Sequence, residues 1–171
     1  MNKFEKVSFE QYKSGFVISD DFDDLLADEL MISKLHEEYD GIKLPKRATR
    51  GSAGYDFYLP YDIFLKPGHS IKISTGIKCH VDHGWFLAIV PRSSIGFNYR
   101  VMLANTLGII DEDYVYATNE GHIMIKLVND GDRPLMLNAG DRFAQGIFLL
   151  YGITDDDDAV GERTGGIGST N

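Results

Sequence analysis

Cysteine and long apolar runs are scarce in this sequence. The 171-residue chain has one cysteine, Cys79, which excludes an intrachain disulfide and is usual for proteins of a reducing cytosol. No apolar run approaches the ~18 residues that a membrane span requires. The N-terminal Met-Asn-Lys-Phe-Glu-Lys also lacks the apolar core of a signal peptide. We therefore expect a cytoplasmic protein without a membrane partner.

Positive charge is also in short supply. Lysine and arginine total 17 against 26 aspartates and glutamates, which gives a formal net charge of −9 and a pI near 4.9. Such a surface repels a nucleic-acid backbone, so no nucleic-acid partner is expected. An acidic protein that handles phosphates usually needs a divalent cation to offset the repulsion, which favours Mg²⁺ as a cofactor.

Beyond Pro45, the chain contains a series of short apolar runs separated by turn signals such as Pro67-Gly68 and His83-Gly84. Runs this short, at roughly ten-residue spacing, favour an all-β sandwich, barrel or jelly roll over alternating β/α units. The predicted strands are Tyr55–Leu59, Ile63–Leu65, Ser70–Ile73, Gly76–His80, Trp85–Val90, Val101–Leu103, His122–Val128, Pro134–Leu137 and Phe143–Leu150.

The length predicts a single domain, which we place at residues 1–154. The like-charged run Asp155–Asp158 should stay solvated, and it separates the domain from a mobile arm at 155–171. Glycine-rich residues 162–170 of this arm carry backbone amides that could wrap phosphates, although glycine-rich tails are usually plain linkers.

The N-terminal region has a different pattern. Residues 3–9 are β-prone and predict a first strand, whereas Phe22, Leu25, Leu26, Leu30 and Leu35 fall near helical spacing. We predict an amphipathic helix over roughly 20–37, with Ser19 or Asp20 as its N-cap, inside an insertion or extension at about 11–40. Its acidic face is most simply a solvated surface, and a protein partner on that face is the alternative.

The stretch 91–114 carries the strongest chemical signal. Arg92, Ser93 and Ser94 end an apolar run, and an arginine fork beside hydroxyls suits phosphate oxygens. Asp111 follows Gly-Ile-Ile some twenty residues later and could orient or deprotonate a water. Together they indicate hydrolysis of a phosphate ester or anhydride.

A metal site at Cys79–His83 is the competing chemical interpretation of another segment. On a strand, Cys79 and His83 would share one face. Because no second cluster completes a set of four ligands, we interpret Cys79 as a small hydrophobic residue instead.

Five blocks in order along the chain resemble the motifs of the homotrimeric dUTP diphosphatases (dUTPases). The resemblance runs from about Leu44 to the C-terminus, and Phe4–Phe9 resembles the first strand of the family. The blocks are Ala53-Gly54-Tyr55-Asp56-Phe57, Pro91-Arg92-Ser93-Ser94, Asn105 through Gly108-Ile109-Ile110-Asp111-Glu112-Asp113-Tyr114, Gly140-Asp141-Arg142-Phe143-Ala144-Gln145, and the arm at 162–170.

This resemblance implies a distorted jelly-roll subunit of the β-clip type and a homotrimer with three shared active sites. The first, second and fourth motifs would come from one subunit, the third from a neighbour and the arm from the remaining one. The implied reaction converts dUTP and water to dUMP and pyrophosphate, with Mg²⁺ on the triphosphate.

The resemblance also implies residue roles. Asp111 would hold the attacking water, Asp56 would bind Mg²⁺ through its waters, and the ring of Tyr114 would lie against the deoxyribose. The phosphate contacts would be Arg92, Ser93, Ser94 and Gln145. Asn105 and backbone groups near Ile123 and Met124 would read the uracil edge, and Gly108 and Ile110 would also contact the substrate. The contacts from the arm would be Arg163, Gly166, Ile167, Ser169 and Thr170.

Three features depart from the family pattern. The arm is one residue shorter after Arg163 and has Ile167 where an aromatic ring usually stacks on the base, a contact worth roughly 1–3 kcal/mol. The turn after Tyr114 is longer, and the N-terminal segment is additional.

Two alternatives stand beside this function. A dCTP deaminase of the same fold would need a carboxylate in the strand after the hairpin, where this chain has Lys126. A regulatory role would use the acidic helix or the longer hairpin as a docking surface for a protein partner.

Overall fold

The computed structural model describes residues 1–16 and 25–166, with side chains in the second range described from Glu29 onward. The strands are β1 Lys3–Lys6, β2 Lys46–Arg47, β3 Tyr55–Tyr58, β4 Ile63–Leu65, β5 Ser70–Ser74, β6 Ile77–His80, β7 Trp85–Pro91, β8 Val101–Leu103, β9 Gly108–Ile110, β10 Met124–Asn129, β11 Leu135–Leu137 and β12 Arg142–Leu150. The helices are α1 Phe9–Ser14, α2 Leu25–Asp40 and α3 Ser93–Tyr99, and a 3₁₀ turn spans Tyr114–Tyr116.

The strands form antiparallel sheets stacked around one core. The largest sheet has the order β2-β3-β12-β7-β9, a second has the order β5-β10-β8, and β1–β6 and β4–β11 form two-stranded pairs. Side chains of successive strand residues point to opposite faces, so Leu87 and Ile89 of β7 enter the core together. The mostly β architecture predicted from the apolar runs is confirmed.

The N-terminal segment shares this core. Val7, Tyr12 and Leu35 are buried in the same hydrophobic cluster as the sheet residues. The Tyr39 hydroxyl donates a 2.7 Å hydrogen bond to the Val7 carbonyl, which fastens α2 to the chain between β1 and α1. None of the described helices is long and apolar enough to cross a membrane.

The prediction for this segment needs correction at three points. The strand ends at Lys6 rather than residue 9, because Ser8 caps α1 by accepting a 3.1 Å hydrogen bond from the Gln11 amide. The second helix continues to Asp40 rather than residue 37. Leu35 is buried as expected, but Leu30 is 73% exposed, so the amphipathic pattern does not bury its whole apolar side. Ser19, Asp20 and Phe22 lie outside the described residues.

Helix α3 was absent from the predicted elements. Its sequence, Ser-Ser-Ile-Gly-Phe-Asn-Tyr, has low intrinsic helix propensity, and no side chain caps its start. Packing stabilises it instead, since Ile95 is buried, and Arg100 ends it in the left-handed conformation with φ of 53°.

Candidate functional site

An apolar cavity of about 190 Å³ opens between β9, β10 and the 3₁₀ turn. Ile89, Ile110, Ile123 and Ile125 supply much of its wall. At the base of the cavity, Gly108 of β9 faces Ile89 of β7. A Cβ at position 108 would lie 2.9 Å from the Cβ of Ile89, so glycine allows the two strands to pair this closely.

Polar groups reach the cavity from three elements. Asn105 follows β8, Lys126 belongs to β10, and Tyr114 begins the 3₁₀ turn. The Tyr114 hydroxyl donates to the His122 carbonyl and accepts from the Asn119 amide, each at 2.9 Å, so its ring is fixed in the wall. An apolar slot with a few placed polar groups is typical of a small-molecule site.

Asp111 follows β9 at the rim of this cavity. Its Oδ2 accepts a 2.5 Å hydrogen bond from Nη2 of Arg163, while Oδ1 of Asp113 accepts one from Nε at 2.8 Å. Burial raises the pKa of the Asp111 carboxyl above its ordinary value, with Arg163 acting in the opposite direction and Asp113 adding to the rise. A half-exposed carboxylate with a raised pKa is suited to accept a proton from water.

Residues Arg163 to Gly166 of the arm border the cavity. The Arg163 guanidinium sits 5.5 Å from the centroid of the Tyr114 ring, a cation–π arrangement. The amide of Thr118 donates to the carbonyl of Thr164 at 3.3 Å, and Gly166 lines the cavity with Arg163. Residues 163–166 of the arm therefore lie against the site of their own chain in this structure.

A second polar cluster surrounds Asp56 on the largest sheet. The Asp56 carboxylate is 1% exposed, and it accepts hydrogen bonds from Gln145 at 2.9 Å and from Arg142 at 3.2 Å. Nε of Arg92 lies 3.4 Å from the same carboxylate. The register explains the meeting, because Gln145 of β12 pairs with Asp56 of β3 while Arg92 directly follows β7 on the other side of β12.

This cluster carries more positive than negative charge. Two guanidinium groups and an amide share one carboxylate, so Arg92 and Arg142 retain N–H donors for an anionic ligand. Ser93 and Ser94 begin α3 beside it and are exposed. Arg142 forms a salt bridge to Asp56, with Nη1 3.2 Å from Oδ2.

The predicted site residues therefore fall into two groups. Within the described part of the chain, none of the Asp56-cluster residues lines the apolar cavity. The first group is Asp56, Arg92, Ser93, Ser94 and Gln145. The second is Asn105, Gly108, Ile110, Asp111, Tyr114, Ile123, Met124, Arg163 and Gly166. Ile167, Ser169 and Thr170 lie outside the described residues.

The sequence interpretation missed several residues of the cavity wall, namely Ile89, Leu103, Ile109 and Ile125. Ile89, Leu103 and Ile125 stand within predicted strands, so their period of two marked them as inward-facing. That signal does not distinguish a cavity wall from ordinary core.

Cys79 is buried and free, as its interpretation as a small hydrophobic residue predicts, and burial raises the pKa of its thiol to about 12. Its neighbours His80 and His83 contact Glu5 and Glu112, respectively. The described ranges hold no group of three or more acidic, histidine or cysteine side chains arranged for a metal ion.

A mostly β fold, a small cavity beside an aspartate with a raised pKa, and a separate arginine cluster are features that an all-β nucleotide hydrolase requires. A family model described as dUTPase matches residues 40–170. The deoxyuridine 5'-triphosphate nucleotidohydrolase of Lactococcus lactis subsp. lactis (strain IL1403) is 38% identical over 133 residues, which cover 76% of this chain and 89% of that protein. The chain belongs to the dUTPase family.

Solved structures agree with this assignment. The dUTPase from Streptococcus mutans is 34% identical with a TM-score of 0.61, covering 68% of this chain and 91% of that one. A mutant dUTPase from phage phi11 of S. aureus, whose structure describes a structural Mg(II) ion, shares the fold at 18% identity, with a TM-score of 0.59 over 71% of this chain and 92% of that one. The family match begins at residue 40, so β1, α1 and nearly all of α2 lie outside it.

His122 is a fully buried titratable group behind the cavity. Its Nε2 accepts a 2.9 Å hydrogen bond from the Gly76 amide, so the neutral ring carries its proton on Nδ1. Burial lowers the pKa of His122 to about 4. The Gln11 carbonyl and Glu120 oppose this shift, and Lys72 adds to it.

We expect acid to destabilise the fold through this residue. The unfolded chain binds a proton near the ordinary pKa of 6.5, whereas the folded chain does so only near 4. The contribution of His122 to the free energy of unfolding is therefore complete above pH 6.5, and it falls by about 3 kcal/mol as the pH drops to 4. Urea unfolding across this range measures the loss. His122→Gln should show a shallower dependence, and an equal slope in both proteins would contradict the assignment.

Proposed function

We propose that this chain hydrolyses dUTP to dUMP and pyrophosphate by attack of water on the α-phosphorus. The observation that carries the proposal is the placement of Asp111, with its raised pKa, at the rim of a ring-sized apolar cavity. The named activity of the L. lactis relative, deoxyuridine 5'-triphosphate nucleotidohydrolase, supports it.

The base would enter the apolar cavity. Asn105 offers an amide that can both donate and accept, as a uracil edge requires. Ile123 and Met124 form the adjacent wall, where a methyl at position 5 of the ring would clash. The buried Tyr114 ring would lie against the deoxyribose and leave no room for a 2′-hydroxyl. Lys126 lines the cavity where a deaminase would need its carboxylate, which disfavours the dCTP alternative.

Asp111 would act on the attacking water. In the structure Arg163 holds its carboxylate, so the bound triphosphate would have to draw that guanidinium away before a water could take its place. The phosphates offer the arginine a stronger, bidentate partner. Once Arg163 leaves, the pKa of Asp111 rises further, because the arginine is the group that lowers it.

Arg92, Ser93, Ser94 and Gln145 would contact the phosphates. Charge shifts toward the leaving pyrophosphate in the transition state, and fixed donors that face this charge lower the barrier. Asp56 would hold these donors in place, because it accepts a hydrogen bond from Gln145 and lies 3.4 Å from Nε of Arg92.

The surroundings of Asp56 do not fit a protein-held Mg²⁺ site. The carboxylate is buried, and three positively polarised donors already face it. Mg²⁺ instead demands octahedral oxygen ligands and keeps several waters. We therefore assign the ion to the substrate, whose phosphates would bring it into the site. There it would offset the negative charge that this acidic protein cannot neutralise.

A trimer with shared active sites would join the two residue groups. The cavity and the Asp56 cluster lie apart within one chain, which supports a site completed by Arg92 and Gln145 of another subunit. In this arrangement Asp111 of one chain would serve phosphates held by its neighbour. The cytoplasmic location and the self-association belong to the same proposal. No observation on the described residues favours a protein partner for α2.

Substrate selection tests the proposal directly. With Mg²⁺ present, we expect release of pyrophosphate from dUTP, with kcat/KM for dTTP lower by about 10- to 200-fold, since one methyl group in an apolar pocket is worth this much. UTP and dCTP should also be poor substrates. Product analysis by ion-exchange chromatography measures all four. Ammonia release from dCTP, or equal turnover of dTTP, would contradict the proposal.

A further inference from the structure

The N-terminal segment, defined here as β1, α1 and the residues joining them, packs against the back of the cavity wall. The amide of Val7 donates to the Gly76 carbonyl at 3.0 Å, and Tyr12 of α1 is fully buried with its ring 6.4 Å from that of His122. At Gly15 an added Cβ would lie 3.1 Å from the terminal methyl of Met124. The segment therefore lies directly behind residues that line the cavity.

The cavity-lining residues Ile123 and Met124 directly follow a strained turn in the chain. Glu120 has a φ of 56° and Gly121 a φ of 69°, so two successive residues adopt the left-handed conformation. At Gly121 a side chain is excluded, because a Cβ would lie 2.6 Å from Cα of Val115. Glu120, in contrast, bears a Cβ that disfavours this conformation. Such a backbone persists only where its surroundings hold it.

Ser8 stabilises this turn through two hydrogen bonds to the Glu120 carboxylate. Its amide donates to Oε2 of Glu120 at 2.9 Å, and its hydroxyl donates to Oε1 at 2.5 Å. The same hydroxyl accepts from the Gln11 amide as the cap of α1, so the helix start and the turn share one side chain. Nζ of Lys78 lies 3.7 Å from Oε2 of the same carboxylate.

Short contacts connect this turn to the cavity. Two residues beyond Glu120, the His122 carbonyl accepts the hydrogen bond that fixes Tyr114. The next residue, Ile123, is held on both sides, because its amide donates to the Ile77 carbonyl and its carbonyl accepts from the Thr75 hydroxyl. Ile123 and Met124 then line the cavity. A shift at Glu120 would therefore move the wall that faces the base.

We propose that the N-terminal segment is a working part of the base pocket, in which Ser8 and Glu120 act as positioning residues that set discrimination against a 5-methyl pyrimidine. The inference rests on the proposed dUTP hydrolysis and adds to it a segment outside the family match. Neither residue is among those that line the cavity, so they would act through Ile123 and Met124 rather than on the reacting atoms.

Two variants distinguish a positioning role of Ser8 and Glu120 from a general role in folding. Ser8→Ala removes the hydroxyl bonds, and Glu120→Gly removes the carboxylate while relieving the left-handed strain. Each should reduce the ratio of kcat/KM for dUTP over dTTP about tenfold. The change should appear as a higher KM for dUTP, with kcat within about twofold. Glu120→Gln, which keeps an acceptor and gains a donor, should restore part of the ratio.

Glu10→Ala is the matched control, because Glu10 is an exposed carboxylate on α1 whose ion pair is with Lys13. It should leave the ratio unchanged. The double variant Ser8→Ala/Glu120→Gly should lose no more of the ratio than Glu120→Gly alone, since the Ser8 hydroxyl acts on the turn through that carboxylate. Hydrogen exchange at the amides of residues 121–123 should quicken in both single variants and not in the control.

The outcomes are distinct. Absence of dUTP turnover in the unaltered protein would overturn the proposed function. Turnover with an unchanged ratio and unchanged hydrogen exchange in Ser8→Ala and Glu120→Gly would overturn the inference alone. A loss of ratio equal to that in Glu10→Ala would also overturn it, because a general effect on α1 would then explain the data.

Discussion

Asp111→Asn is expected to reduce the kcat for dUTP hydrolysis by about 10²- to 10⁴-fold, the contribution of a general base to a reaction of this kind. Asparagine has nearly the same shape but cannot accept a proton from the attacking water. The KM should change little, because Asp111 stands beside the cavity rather than in its wall. Steady-state release of pyrophosphate at saturating Mg²⁺ measures the effect, with molecular mass by light scattering to show that assembly persists.

Asp113→Asn is the matched control for this prediction. Asp113 has a similar exposure and also pairs with Arg163, so the variant changes charge in the same place without removing the base. Exposed ion pairs contribute about 0–1 kcal/mol, and we expect less than tenfold loss. If Asp113→Asn proved as damaging as Asp111→Asn, the assignment of the base would be wrong.

The pH profile of the unaltered enzyme provides a second readout on Asp111. Activity requires the carboxylate form, so it should decline as the pH falls through the pKa of that group. Because burial raises this pKa, the decline should begin at a higher pH than for an ordinary aspartate. The acidic limb should disappear from the residual activity of Asp111→Asn.

Mixing two inactive variants should restore activity. Arg92→Ala removes a phosphate contact from the Asp56 cluster, whereas Asp111→Asn removes the base from the cavity rim. If each site combines these groups from two subunits, random assembly of equal amounts places an intact pair at about one site in four. Activity should therefore return to about a quarter of the unaltered level after joint unfolding and refolding.

The comparison depends on a simple control. Each variant refolded alone should stay inactive, and the two variants mixed after separate refolding should recover little, since their chains have not exchanged. If joint refolding also gives no recovery, the two residue groups must meet within one chain, and the shared site would be ruled out.

The strands and the motif blocks were readable from local patterns. Short apolar runs between turn signals marked most of the strands, and Ile63–Leu65 and Val101–Leu103 agree with the structure at both ends. Strands β2 and β9 and helices α1 and α3 were missed. The two strands are too short to show a period, and α3 is stabilised by packing that its residues do not encode locally.

The roles within the site depended on contacts between distant residues. The family pattern implied that Asp56 binds Mg²⁺ through water, and the sheet order surrounds this carboxylate on β3 with an amide from the neighbouring β12 and a guanidinium from the end of β7. The sequence placed Ser8 within a predicted strand, whereas in the structure it contacts Glu120, 112 positions later, behind the pocket.

The sequence by itself therefore determined the family, the β architecture and the residues able to do the chemistry, because motif order and strand period are written locally along the chain. The tertiary structure alone decided which of those residues meet. It separated Arg92 from the cavity beside Asp111, placed Arg163 on that aspartate, and joined Ser8 to Glu120. Such meetings follow from sheet register and side-chain packing across the whole core, which no local pattern specifies.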